Sequence, residues 1–170
     1  LPKTQDELSI SGHAIEVRIY AENPNNDFLP AAGTLWCLQP PEPSSHVRID
    51  TGVVQDDAVG VFYDPMIAKL IVWGENRHQA IQRLEQALAD YKIAGVVTNV
   101  DFLRRLSAHP GFRDADLRTD FIEQHRAALF SHVEHTRLLA QLGLYLSLAP
   151  TGAANLNAQI DPTSPWQATD

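Results

Sequence analysis

The hydrophobic period of this chain changes between Trp73 and Ala80. Upstream, apolar side chains fall on every second residue. Ile15, Val17 and Ile19 alternate with Glu16, Arg18 and Tyr20, and Val47, Ile49, Thr51 and Val53 alternate with Arg48, Asp50 and Gly52. Successive strand residues point to opposite faces, so each stretch reads as a strand with one apolar side. Downstream, Ala80, Ile81, Leu84, Ala87, Leu88 and Tyr91 follow the i, i+3, i+4, i+7 spacing of an amphipathic helix. Strands first and helices after is the order of an α+β domain.

Strands are expected at residues 14–21, 34–38, 47–53, 59–63 and 66–73. Five short strands at close spacing predict an antiparallel sheet. ENPNND and QDDA are turn formers, and QPPEPSS is a proline-rich loop that no strand could cross. Asn76 is the expected N-cap of the long helix, with Gln79 three residues on as in a capping box. Thr98 is placed to cap a shorter helix through Phe102, Leu103 and Leu106, which Pro110 stops. A last helix is expected from about Thr119 or Asp120 to about Leu129. Residues 1–11 read as an arriving linker and residues 12–130 as one domain. Residues 131–170 read as a C-terminal extension: a helical segment at 133–148, then a loop-like tail whose Trp166 suggests a chain cut before its packing partner.

Composition removes several function classes. The net charge is −8, from 21 acids against 13 bases, which argues against nucleic acid and against an anionic membrane surface. No apolar run approaches the ~18 residues that cross a bilayer, and the first residues lack the basic flank and apolar stretch of a secretory signal. The single cysteine, Cys37, permits no internal disulfide and points to a reducing compartment. It lies in TLWCLQ and reads as a small buried side chain.

No phosphate loop, dinucleotide fingerprint, nucleophile elbow or CxxC pair occurs. His132 and His135 have the spacing of two metal ligands, but no third ligand lies close in sequence, and a polar helix face explains them. Asp56-Asp57 reads as a solvated turn. Glu16 and Arg18 share a strand face and admit two readings. One is a surface ion pair. The other is an arginine held by its neighbour and aimed at an anion or a developing oxyanion, a task suited to a permanently charged planar fork of donors. Lys69, in the apolar run MIAKLIVW, either snorkels to water or pairs with a carboxylate such as Asp64.

GHAIEVRIYAENP, FLPAAGTL, VRIDTGV, FYDPMIAKLIVWGENR and GVVTNVDFLRRL, in this order over about residues 10–130, resemble the C-terminal part of biotin carboxylase. TNVDFL, HPGF and TDFIEQH give the resemblance its lean towards the biotin-bearing α subunits of the 3-methylcrotonyl-CoA carboxylases, with geranyl-CoA or other acyl-CoA carboxylases as alternatives. A non-catalytic interaction module is the alternative from another class.

The resemblance implies roles for particular residues. The arginine of the family's GHAxExRxxAE motif falls on Arg18 and would contact the ureido oxygen of biotin, with Glu16 orienting it. Arg48 and Asp64 would lie near the contact between two biotin carboxylase domains, and Thr119 near the adenine of ATP. Implied cofactors are biotin, ATP and magnesium; implied partners are an ATP-grasp region, a biotin carrier domain and a carboxyltransferase β subunit. The implied location is the bacterial cytoplasm, or the mitochondrial matrix in a eukaryote. The family's ATP, magnesium and bicarbonate residues would precede residue 1 and its biotinyl lysine would follow residue 170, so the chain alone is expected to be inactive. Asp56 stands where relatives often have glycine, which implies a strained or different turn.

Overall fold

Alternation in the first strand-like stretch builds β1 (His13–Tyr20), with Ile15 and Ile19 buried and Glu16 and Arg18 exposed. The chain then forms β2 (Glu22–Asn23), a 3₁₀ turn at Pro24–Asn26, β3 (Leu29–Pro30), β4 (Gly33–Thr34), β5 (Cys37–Gln39), β6 (Val47–Thr51), β7 (Ala58–Val59) and β8 (Met66–Gly74). After α1 (Arg77–Asp90) come β9 (Lys92–Ala94), α2 (Val100–Ala108) and the one-turn helices α3 (Pro110–Arg113), α4 (Phe121–Gln124) and α5 (Arg126–Leu129). The structure is a computed structural model and describes residues 2–60 and 62–130. The expected helix at 133–148, the tail with Trp166 and the His132/His135 pair lie outside the described residues. The architecture is α+β, as its hydrophobic pattern implies.

The strands are antiparallel as expected, but among the described residues they form four sheets and not one. β8 is the centre of a three-stranded sheet, order β1-β8-β6, and β2-β3, β4-β7 and β5-β9 are separate pairs. The run at 34–38 splits because the chain pivots at Trp36: Leu35 is buried and exchanges backbone hydrogen bonds with Asp56 and Asp57, while Trp36 turns outward. β4 and β5 therefore take different partners, β7 and β9. The strand expected at 59–63 shrinks to Ala58–Val59, and Phe62 and Tyr63 are exposed in a bend. β-Propensity without a neighbouring strand to pair with does not make a strand.

β1 pairs with β8 from His13↔Gly74 to Ile19↔Ala68; the register then slips, and Tyr20 faces Met66. Ile67 is the extra residue of this bulge, and both it and Ala68 are buried. The inner face, Ile15, Ile19, Leu70 and Val72, forms one core with Ala80, Ile81, Leu84, Ala87 and Leu88 of α1. Burying one Leu or Ile side chain stabilises by roughly 1.5–3 kcal/mol. That layer, more than any one hydrogen bond, joins sheet and helix.

Asn76 caps α1 as expected: its side-chain oxygen accepts from the Gln79 N–H at 3.0 Å. The box is shifted, since the Gln79 side chain accepts from the N–H of Glu75 and not of Asn76. Thr98 does not cap α2. Asn99 is its N-cap residue, and the Asn99 side chain is used elsewhere. Asp27 and Phe28 are consecutive left-handed residues, φ +48° and +56°. The Phe28 ring is held there by edge contacts with Phe102 and Phe130, at 5.1 and 5.8 Å. Asp56 is left-handed too, φ +72°, in keeping with the strained or different turn expected there. Gly95, φ +109°, lets β9 end against the backbone of Thr34 and Trp36. Cys37 is half-buried.

Candidate functional site

With its apolar face under α1, the three-stranded sheet leaves its polar face open. The register fixes which side chains stand together on it. Glu16, Ile71 and Arg48 form one row across β1, β8 and β6, and Arg18, Lys69 and Asp50 form the next. Three cations and two carboxylates thus share one small area. Glu16 and Arg18 share this face as their spacing on one strand implies, and the β6–β8 register adds Arg48 to it.

The Arg18 side chain keeps 60% of its accessible surface. Its guanidinium is held above its ordinary pKa first by a hydrogen bond to the Tyr20 phenol, then by the charges around it, including Glu16 and Asp64. Glu16 approaches Arg18 Nε at 3.8 Å, an ion pair longer than a hydrogen bond. Tyr20 is therefore the larger electrostatic influence of the two, and the sequence signalled it only by its place two residues on, on the same face. Asp64 reaches Arg18 electrostatically, while its side chain accepts from the Met66 N–H at 3.0 Å and closes the turn into β8.

The pairing of Lys69 with Asp64 gives way to a different neighbour. Lys69 stands opposite Asp50, where it helps lower the Asp50 carboxyl below its ordinary value. The main cause of that lowering is Arg48, which grips Asp50 through Nε at 2.8 Å and Nη2 at 3.1 Å. Arg48 therefore presents itself as half of a fork-shaped ion pair. Thr119 lies on another element, exposed in the turn before α4.

Sequence reasoning missed one residue behind this face. Asn99 is 6% exposed and sits against the outer edge of β1. Its side-chain oxygen accepts from the Tyr20 N–H at 2.9 Å, and its side-chain nitrogen donates to the Arg18 carbonyl at 3.0 Å. Its own N–H donates to the Tyr20 carbonyl at 3.2 Å. Only the TN pair before a helical pattern hinted at it, and that reads first as a cap.

Chemically the face offers an exposed, supported cation beside a phenol. That fits a neutral oxygen that gains negative charge. It does not fit a metal: among the described residues no group of three or more His, Cys, Asp or Glu could hold one. A separate cavity of about 500 Å³, lined in part by Pro40, His46, Arg83 and Lys92, includes none of these residues. No described helix is long and apolar enough to cross a membrane.

Comparison with known proteins gives this face a context. The sequence model of the biotin carboxylase C-terminal domain matches residues 16–124. The methylcrotonoyl-CoA carboxylase α subunit of Dictyostelium discoideum, a mitochondrial protein, is 44% identical over 99% of this chain. Its rat counterpart is 46% identical over 98%. The chain spans about a quarter of their length, 24% in each case. Among solved structures, the biotin carboxylase domain dimer of Hydrogenobacter thermophilus 2-oxoglutarate carboxylase, in complex with MgADP, ADP and bicarbonate, superimposes with a TM-score of 0.74. It is 31% identical, and the match covers 78% of this chain and 29% of that one. Arg18, Tyr20, Arg48, Lys69 and Asn99 all fall within the matched residues, and the chain belongs to the biotin carboxylase C-terminal domain family.

Proposed function

We propose that this chain forms one wall of a biotin carboxylase active site within a longer subunit, and that Arg18 is its catalytic residue. The observation that carries the reading is Arg18 itself: exposed, flanked on the same strand face by Tyr20 and Glu16, and presented on a strand whose backbone is clamped from behind. Biotin supplies the ureido group that accepts the carboxyl. The guanidinium donates to the ureido oxygen and stabilises the charge that grows there. Because it is already in place, little reorganisation is needed as the charge develops. Glu16 and Tyr20 keep the fork aimed.

This chain lacks a donor set for magnesium among its described residues. ATP and magnesium would therefore be held mainly by an ATP-grasp region outside it, with Thr119 near the adenine through backbone. Arg48 and Asp64 would sit at the contact with a second biotin carboxylase domain. The domain would run over residues 12–130, after a linker at 1–11, with residues 131–170 starting a connector to the carboxyltransferase β subunit. The biotin carrier domain would bring its cargo to the Arg18 face. Alignment with methylcrotonoyl-CoA carboxylase α subunits runs through 98–99% of the chain, past residue 124 where the domain match ends. That supports ATP-dependent carboxylation for 3-methylcrotonyl-CoA, a leucine-breakdown step, in a bacterial cytoplasm or a mitochondrial matrix.

The test is Arg18→Ala in the full-length subunit. Biotin-dependent ATP turnover should fall by about 10²-fold or more, as for loss of one oxyanion donor, with unfolding unchanged. Unchanged turnover would reduce Arg18 to a surface ion-pair residue and leave an interaction module. The isolated chain, given ATP, magnesium, bicarbonate and free biotin, should release no phosphate; biotin-dependent release would sink the half-site reading.

A further inference from the structure

Among the described residues β1 is a rim strand: β8 pairs along one side of it and no described strand pairs along the other. Arg18 and Tyr20 turn their backbone groups to that open side. Asn99 fills the gap as a neighbouring strand would. Its carboxamide meets the Arg18 carbonyl and the Tyr20 N–H, the two groups that flank Ile19, and its own N–H meets the Tyr20 carbonyl. A side-chain amide carries one acceptor and a donor pair in a plane, so it can stand in for a peptide group.

The location is as telling as the geometry. On the opposite side of the same residues the β1–β8 register slips, between Ile19 and Tyr20. A bulge loosens pairing and re-aims the side chains beside it. Without a restraint on the outer side, the backbone that launches Arg18 and Tyr20 would be the least constrained part of the strand. Asn99 is itself fixed, since its carbonyl accepts from the Leu103 N–H and begins α2. The side chain that could have capped this helix is committed to β1 instead.

We propose that Asn99 is a positioning residue for Arg18, holding the β1 backbone on both sides of Ile19 so that the guanidinium and its Tyr20 support stay in register with their target. The proposal rests on the catalytic reading of Arg18. It goes beyond that reading by adding a second residue, 81 positions away in sequence, that acts only through the first.

A double-mutant cycle in the full-length subunit tests it, with biotin-dependent ATP turnover read as kcat/KM for free biotin. The variants are Arg18→Ala, Asn99→Ala and both together. Displacement of a catalytic group by about 1 Å can cost on the order of 10²-fold, so Asn99→Ala alone should lose about 10- to 100-fold. In the Arg18→Ala background it should lose almost nothing more, because the group it positions is gone. Equal losses in both backgrounds would overturn the proposal in favour of a general structural role. So would an Asn99→Ala protein with full turnover. If Arg18→Ala itself has no effect, the catalytic reading fails first and the proposal falls with it; the two failures are thereby distinct. Should Asn99→Ala not fold, Asn99→Asp carries the cycle. It has the same size and keeps the acceptor for Tyr20, but it sets an oxygen against the Arg18 carbonyl. Amide exchange at Tyr20 gives the direct readout: it should accelerate in the variant while the β8 amides keep their protection. Unchanged Tyr20 exchange would refute the clamp.

Discussion

Replacing Gly95 with alanine tests the close approach that joins β9 to the chain between β4 and β5. Two costs add. The backbone at φ +109° is a region that L-residues rarely enter, and such conformations cost about 1–3 kcal/mol. A Cβ there would also collide with the Thr34 carbonyl oxygen and lie 2.9 Å from the Trp36 nitrogen. Both are backbone atoms, so relief requires moving a chain segment, at about 1–3 kcal/mol for overpacking. The sum, about 2–6 kcal/mol, is a large share of the roughly 5–15 kcal/mol that holds a domain folded. Urea unfolding, followed by circular dichroism and fluorescence together, should show the midpoint falling by about 1–3 M for a slope near 2 kcal/mol/M. Gly33→Ala is the control. Its Cβ would meet the Gly95 oxygen and one Val96 methyl at 3.0 Å, without the unfavourable φ, so its loss should be smaller. A Gly95→Ala midpoint within about 0.2 M of the parent, at unchanged slope, would show that the two segments do not touch as described.

Three further substitutions probe other parts of the argument. Asn76→Ala removes the acceptor for the Gln79 N–H and should destabilise by about 1 kcal/mol, with Asn76→Asp restoring most of it in thermal unfolding. Asp56→Gly should stabilise by up to about 1 kcal/mol, since glycine takes the φ of +72° without strain; a loss there would mean that the Asp56 side chain contributes something the backbone geometry conceals. Tyr91→Phe removes a buried hydroxyl that finds no hydrogen-bond partner among the described residues. Burial pushes the Tyr91 phenol above its ordinary value of 10.0, so the folded state holds that proton more tightly than the unfolded one. Its contribution is then present below the unfolded value and lost as pH rises through the folded one. The variant should match or exceed the parent at neutral pH, and its advantage should widen from about pH 9 to about pH 11; parallel curves across that range would remove Tyr91 from the account.

What could be read in advance was whatever a short window contains. β1, β8 and α1 show their period in their own residues, and each is bounded within a residue or a few of its expected limits. The Arg18 face followed from alternation alone. What could not be read depends on partners far along the chain. Residues 34–38 look like one strand until Asp56 and Asp57 claim the backbone of Leu35. Residues 59–63 have strand composition, but among the described ones only Val59 pairs, with Gly33 of β4. Lys69 could have paired with either of two acids, and only the β6–β8 register selects Asp50. Asn99 reads as helix punctuation because its real contacts are 79 and 81 residues away. An asparagine's local options are visible in a sequence, whereas its distant ones are not.

The clamp on β1 also bears on how this sheet meets other chains. An unpaired rim offers a row of N–H and C=O groups to any extended peptide, which is how strands are captured and how sheets aggregate. Here Asn99 has already taken the Arg18 and Tyr20 groups, and the backbone of Ala21 is engaged with Pro65 and Ala31. At the other rim, β6 is five residues long and carries the Arg48–Asp50 pair, a short and charged edge that discourages strand addition. Recognition is thereby steered to the flat of the sheet. A molecule laid on that face would meet the charges of Glu16, Arg18, Arg48, Asp50 and Lys69 and not a row of backbone groups.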